Sequence, residues 1–367
     1  MTLLKRLSIT ELRNLQSANL SFSPSLNIIY GNNGSGKTSI LEAISLLGLG
    51  RSFRSHKSRS LIHYDKSQLT VFAELNTENG EIPAGIQKSR NGKSLIRLSG
   101  NPVYSAAILA KQLPLQVINA NSFQLIEGSP SQRRQFLDWL VFHVKPEFSE
   151  LWKSLQKALK QRNSLLRHDK IAYSDLRPWD VEFSKLTVAI NKLRKDVFLD
   201  FKEQFSLHYK ALGYEDLTVN LEYVCGWNDS LSFEDALLES FERDRRDGYS
   251  HIGPHRADIK ITANTKIAAD VLSRGQEKAL ICAMHIAQAK IYKEASGKMC
   301  LFLIDDLQAE LDQGHSEQLA KWLTSLNAQV IVTGVSREGL LNVWKNEDVN
   351  IALFHVEHGD VQEITEI

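Results

Sequence analysis

At 367 residues, 43% of them hydrophobic and 24% charged, the chain is long enough for two or three domains with a substantial core. Lys and Arg total 44 against 43 Asp and Glu, a net charge of +1, which excludes overall electrostatic attraction to nucleic acid and leaves only local patches for it. No apolar run approaches the length needed to span a bilayer.

The opening Met1-Thr-Leu-Leu-Lys-Arg lacks a sustained apolar stretch after its basic pair, so no secretion signal is expected. Cys225, Cys282 and Cys300 are scattered, as expected of three free thiols in a reducing cytosol. Over residues 1–125 short apolar strands alternate with turns. Leu69–Leu75 and Ser94–Leu98 are two such strands, with Gly80, Gly92 and Gly100 marking breaks. Leu26, Ile28 and Ile29 predict another strand. It runs into Gly31, Asn32, Asn33, Gly34, Ser35, Gly36, Lys37 and Thr38, a match to G-x-x-x-x-G-K-[ST]. Ile40, Leu41, Ile44 and Leu47 then recur at helical spacing from Ser39 onward. Strand, glycine loop and helix start form an anion site. Glycines let the backbone N–H groups turn inward, and the helix N-terminus adds partial positive charge. In such a loop Lys37 reaches the β and γ phosphates and the Thr38 hydroxyl ligates Mg²⁺.

From Ser131 the pattern turns helical. Leu151, Trp152, Leu155, Ala158 and Leu159 make one apolar stripe, and Phe183, Leu186, Ile190, Leu193 and Val197 another. Lys153, Lys157, Lys160, Arg162, Lys192, Arg194 and Lys195 are expected on the polar faces. Residues 126–249 therefore read as a mainly helical lobe inserted in a discontinuous head of residues 1–125 and 250–367.

Leu272-Ser273-Arg274-Gly275-Gln276 precedes a helical pattern from Glu277 to Ala295, with Ser273 placed as its N-cap. Cys300 to Ile304 reads as a buried strand ending in two carboxylates, which is costly unless a cation waits there. Asp305 fits the Mg²⁺-side carboxylate, and Asp306 falls where a base or water-positioning group belongs. His251, His255 and Asp258 could suggest a metal, but Gly253-Pro254 breaks any helical face that would align them, and a place beside the nucleotide or a dimer surface is preferred.

The Ser273–Gln276 segment, so placed before an acidic strand, resembles the signature motif of ATP-binding-cassette (ABC) proteins. That resemblance implies an α/β ABC-type P-loop ATPase head in which the signature helix presents serine and backbone N–H groups to a phosphate held by a second copy. ATP would then join a homodimer. Further stretches resemble the RecF family: Leu12-Arg13-Asn14-Leu15, Gly50-Arg51-Ser-Phe-Arg54, Gly128 to Trp139 with Arg133 and Arg134, Lys160 to Leu166, Gly253-Pro-His-Arg-Ala-Asp258, and Asp305 to Asp312. What this implies is an ATP-dependent DNA-binding recombination mediator of replication and repair. It would be cytoplasmic and nucleoid-associated, acting on duplex DNA and single/double-strand junctions, and would help RecA onto gapped DNA with RecR and RecO. By the same resemblance Arg13 and Asn14 lie by the nucleotide.

The chain departs from that pattern in places. Ala309 stands where the family often has serine. Gln329–Thr333 leads to Gly334-Val-Ser rather than to the histidine of transporter ATPases, and Asp306 is one methylene shorter than the usual glutamate. A weak, DNA-stimulated ATPase is the expectation. For DNA, Arg51, Arg54, Lys57 and Arg59, with His56, form a stretch free of acids, and Arg133 with Arg134 is a second candidate that could equally serve an ion pair or a subunit contact. Two other readings stay open. A transporter nucleotide-binding subunit would leave the lysine-rich lobe without a use, and an SMC-like chromosome clamp would bind DNA and ATP without turnover.

Overall fold

The computed structural model describes residues 2–55, 57–168, 171–213 and 217–364. In chain order the first elements are β1 (Leu3–Leu12), β2 (Leu15–Ser21), β3 (Leu26–Tyr30), α1 (Lys37–Leu49), β4 (Gln68–Thr77), β5 (Gly80–Ser89), β6 (Ser94–Leu98), β7 (Asn101–Val103), α2 (Ala106–Gln112) and β8 (Leu115–Ile118). There follow α3 (Pro130–Val144), α4 (Phe148–Leu166), α5 (Tyr173–Lys210), β9 (Val219–Val224), α6 (Phe233–Asp247), β10 (Asp258–Ala263), β11 (Lys266–Ile267), α7 (Ala268–Val271) and α8 (Arg274–Ser296). The last are β12 (Leu301–Ile304), α9 (Leu307–Glu310), α10 (Gln313–Ser325), β13 (Val330–Gly334), α11 (Arg337–Val343), β14 (Ile351–Glu357) and β15 (Asp360–Ile364). The chain gathers into two compact units, one of residues 1–122 with 278–367 and one of residues 123–277. The Ser273–Gln276 segment thus groups with the second unit.

The first unit holds two six-stranded sheets among its described residues. One, in the order β2-β1-β4-β5-β6-β7, is antiparallel throughout. Its strands alternate, as in β4, where Leu69, Val71, Ala73 and Leu75 point inward. The other has the order β15-β14-β3-β13-β12-β8, and β14, β3, β13, β12 and β8 run parallel. Here β12 is a continuous apolar run, and β3 is buried from Leu26 to Ile29 without alternation, with the Asn27 amide bonded to the Ser23 and Val330 carbonyls, as strands buried on both faces require. Ligands of such sheets bind outside the carboxyl ends of the strands. That is where the glycine loop after β3, the aspartates after β12 and Thr333 at the end of β13 are found. Helix α1 is buried along nearly its whole length, and Ile40, Leu41, Ile44 and Leu47 join the core shared with β1, β4 and β13.

The second unit is helical, with a three-stranded sheet β11-β10-β9. In α5, of 38 residues, Phe183, Leu186, Ile190 and Val197 are buried as the stripe predicts, and Phe198, Phe201 and Phe205 extend it. Arg162 and Arg194 do not lie on the polar faces as the sequence suggests: both are 0% exposed. Arg162 pairs with Asp180 and Asp244, each at 2.7 Å, and Arg194 with Asp138 in two bonds of 2.7 and 2.8 Å. The carboxylates that make their burial tolerable come from other helices, so a single helical pattern cannot announce them.

Candidate nucleotide site

The loop between β3 and α1 takes its shape from glycine. Gly31, Gly34 and Gly36 all have positive φ, and a Cβ on Gly31 would lie 2.2 Å from the Val356 carbonyl oxygen. The β14–β15 turn buttresses the loop, the Gly359 N–H donating to the Ser35 carbonyl at 2.9 Å. Asn14 holds its other side. Its side-chain amide donates to the Ser35 carbonyl at 2.9 Å and more weakly to that of Gly34 at 3.3 Å, and its Oδ1 accepts from the Ser39 hydroxyl at 3.0 Å. Asn32 and Asn33, with Gly34 and Ser35, line a cavity of about 110 Å³ beside His355–His358.

Lys37 is buried, its Nζ donating to the Gly31 and Asn32 carbonyls at 2.7 and 2.9 Å. Burial pushes this ammonium below its ordinary pKa, while the charges of Asp306 and Asp305 oppose that shift. Thr38 Oγ1 donates to Asp305 Oδ1 at 3.0 Å across 267 residues of sequence, and Thr333 Oγ1 donates to the same oxygen at 2.9 Å. Burial raises the Asp305 carboxyl, against the pull of the Thr333 and Thr38 hydroxyls and of Arg54; Asp306 adds to the rise. Asp306 has a left-handed backbone, φ 52°, and its N–H donates to Thr333 Oγ1 at 2.8 Å. Thr333 therefore organises both aspartates. The sequence reading passed over it, although a threonine where transporters approach their histidine was the available signal.

The residues present fit a magnesium nucleotide. The Ser35 hydroxyl is buried without a hydrogen-bond partner among the described residues, in a loop whose glycines leave room for an anion. A carboxylate touching a threonine hydroxyl is the oxygen donor set that Mg²⁺ takes.

Other expected residues have different surroundings. Arg13 is gripped by Glu42 in two bonds of 3.0 and 2.9 Å and donates to the Ser60 carbonyl at 2.7 Å. Glu42 is fully buried, receives the Ser52 hydroxyl and lies 4.0 Å from Arg54. Arg51, Arg54, Lys57 and Arg59 are exposed, Arg59 donating to the Arg90 carbonyl at 2.9 Å, while His56 lies outside the described residues. Arg133 and Arg134 are committed inside the second unit, Arg133 to both Asp258 oxygens at 2.7 and 3.0 Å and Arg134 to the Ala257 carbonyl at 2.7 Å. The ion-pair alternative describes Arg133. His251 lies between Asp244 at 2.9 Å and Asp247 at 3.0 Å, apart from the Arg133-bound Asp258.

In the second unit, Ser273 and Gln276 form a reciprocal cap. The Ser273 N–H donates to Gln276 Oε1 at 2.9 Å, and the Gln276 N–H reaches Ser273 Oγ at 3.4 Å. Arg274 bridges Glu127 at 2.6 Å and Glu277 at 3.0 Å and lies over the Phe123 ring. A Cβ on Gly275 would meet nothing within 4 Å, so that helix start is open to a close approach from outside.

The family model of the RecF/RecN/SMC N-terminal domain matches residues 3–362. The DNA replication and repair protein RecF of Cellvibrio japonicus is 46% identical over 364 residues, 98% of each chain. The chain belongs to the RecF family. The RecF protein of Saccharophagus degradans is 47% identical over 363 residues, again 98% of each chain. Among solved structures, the recombination mediator RecF bound to ATP superposes with a TM-score of 0.87 at 24% identity, covering 99% of this chain and 98% of that one. An SMC head bound to the C-winged helix domain of ScpA gives 0.61 at 16% identity, covering 98% and 96%. The fold is therefore the α/β ABC-type ATPase head of RecF and SMC proteins, and the RecF relatives do not favour the transporter or chromosome-clamp readings.

Proposed function

We propose that this RecF-family chain is an ATP-dependent DNA-binding recombination mediator in DNA replication and repair, in which nucleotide binding closes a homodimer on DNA at single-strand gaps. Assistance to RecA loading, with RecR and RecO, belongs to the same reading, as does a cytoplasmic, nucleoid-associated location. The observation that carries it is the Thr38–Asp305 contact, in which a hydroxyl at the start of α1 and a carboxylate after β12 meet at 3.0 Å beside the glycine loop. ATP would lie on residues 31–39, with Mg²⁺ held by Thr38 and Asp305. Mg²⁺ so held would supply neutralisation of phosphate charge.

The chain's own residues divide the remaining work. Lys37 neutralises phosphate charge, and the burial that lowers its pKa disfavours the bare ammonium, a cost that an adjacent phosphate offsets. Asp306, fixed by its backbone and by Thr333, positions or deprotonates the attacking water. Ser273, Gly275 and Gln276 offer an open helix start to the triphosphate held by the second copy, and Arg274 is anchored beside them. With no histidine after β13 and a short carboxylate at 306, hydrolysis is slow and DNA-stimulated, resetting the dimer rather than driving movement. Arg51, Arg54, Lys57 and Arg59 contact DNA phosphates.

Light scattering with and without ATP tests the reading. Lys37→Met is expected to remain monomeric and to lose nucleotide-dependent DNA binding, while Asp306→Asn is expected to persist as an ATP-bound dimer. Dimerisation of the unaltered chain that ignores ATP would refute it.

A further inference from the structure

The segment from Ser250 to Asp258, Gly-Pro-His-Arg at its centre, is held from within by arginines. Arg162 donates to the Ser250 hydroxyl at 2.7 Å, Arg194 to the Pro254 carbonyl at 2.7 Å, Arg134 to the Ala257 carbonyl at 2.7 Å, and Arg133 grips Asp258. His255 Nε2 closes the loop on the Ser250 carbonyl at 3.1 Å. Gly253 bonds the Gly226 carbonyl at 3.1 Å, and a Cβ on Gly226 would lie only 2.4 Å from the Gly253 carbonyl oxygen. Buried guanidinium pairs add little net stability over well-packed apolar side chains, so their concentration under one loop calls for a reason other than stability. What they supply is a fixed backbone.

That backbone presents one arginine outward. Arg256 is exposed, and its guanidinium lies 5.7 Å from the centre of the Tyr249 ring, which is itself 40% exposed. No carboxylate pairs with it among the described residues. The nearest carboxylate in sequence, Asp258, is taken by Arg133, and Arg134, bonded to the next residue's carbonyl, is held below its ordinary pKa by burial first and then by Arg194, with Asp258 and Asp138 opposing the shift and Arg256 adding to it more weakly. An arginine set over an aromatic ring, with a second guanidinium close by and no carboxylate paired to it among the described residues, is placed for a planar, two-pronged oxyanion contact.

We infer that Arg256 is a phosphate-contact residue, set in place by Arg133, Arg134, Arg162 and Arg194. The shared chemistry has two sources under the proposed function, on which this inference rests: the triphosphate held by the other copy, or a DNA phosphodiester. The test uses the full chain with magnesium and a non-hydrolysable ATP analogue, comparing wild type, Arg256→Ala, Arg256→Lys and, as a control for a surface cation, Arg245→Ala. Dimerisation is read without DNA by light scattering, and duplex binding by fluorescence anisotropy between about 50 and 200 mM salt.

If the source is the triphosphate, Arg256→Ala weakens analogue-dependent dimerisation about a hundredfold, roughly tenfold for each of the two symmetry-related charge-assisted contacts, and Arg256→Lys restores it only in part. If it is DNA, dimerisation is unchanged, while affinity falls and the salt slope drops by about 1 in Arg256→Ala but not in Arg256→Lys. Either result supports the inference, provided that Arg245→Ala behaves as wild type. Arg256→Ala within twofold of wild type in both assays, or a control that loses as much, overturns it while leaving the proposed function standing. A wild-type chain that neither dimerises with the analogue nor binds DNA overturns both.

Discussion

His285 lies 6% exposed in the first unit with Nδ1 donating to Gln116 Oε1 at 2.6 Å, while the Gln116 amide in turn donates to Gln288. Burial pushes its pKa from 6.5 down to about 4, and His255 in the second unit, half-buried, falls to about 4 as well, again chiefly by desolvation. Between those values the unfolded chain binds a proton that the folded chain refuses. Stability is therefore fully present above pH 6.5 and is lost as pH falls towards 4, by about 3 kcal/mol for His285 alone. Urea titrations across that window are expected to show a falling midpoint, and His285→Gln, which keeps a donor for Gln116, should flatten the fall. A slope unchanged in that variant would remove His285 as the cause. Single residues were also where the sequence was hardest to read. Glu42 looks like a polar residue in a helix, yet it is the fully buried anchor for Arg13 and Ser52, because its partners come from the turn after β1 and the loop after α1, outside its own helix.

At the scale of elements, α1 shows how closely the nucleotide loop is tied to the parallel sheet. Gly48, near its end, faces β8 so tightly that an added Cβ would lie 2.0 Å from Leu115 Cδ2 and 2.8 Å from the Leu113 carbonyl oxygen. Gly48→Ala gains helix propensity of about 1 kcal/mol, but overpacking against a backbone oxygen costs roughly 1–3 kcal/mol, so the net change is destabilising. Thermal unfolding of that variant is expected below wild type; a rise would mean that α1 and β8 can separate freely. Elements with strong periodicity were legible in advance. The strand before the glycine loop, the buried strand before Asp305 and the long helix after Ser273 all appear, as β3, β12 and α8. The length of α5 was not, since its first turns carry Pro178 and Trp179 rather than a clean apolar stripe. The site's glycine loop and aspartates could be read because backbone chemistry restricts the residues allowed there, whereas Thr333 is fixed by the pairing of β13 with its neighbours.

For the whole molecule, a net charge of +1 means that DNA affinity must rest on a few contacts. With Arg51, Arg54, Lys57 and Arg59 as those contacts, the logarithmic salt slope should be about 0.9 per neutralised phosphate, and Arg51→Ala or Lys57→Ala should each lower it by about 1. Anisotropy measured over a salt series checks this, and a slope untouched by either change would move the DNA surface elsewhere.

The interior position of β3 in the parallel sheet carries a consequence for synthesis. β3 pairs with β13 on one side and β14 on the other, and the glycine loop leans on the turn between β14 and β15. During translation β3 and the loop leave the ribosome long before either flanking strand. Until then both edges of β3 are bare, so the growing polypeptide must keep an unfinished cradle from aggregating, and no nascent chain that still lacks β13 and β14 can form the cradle described above.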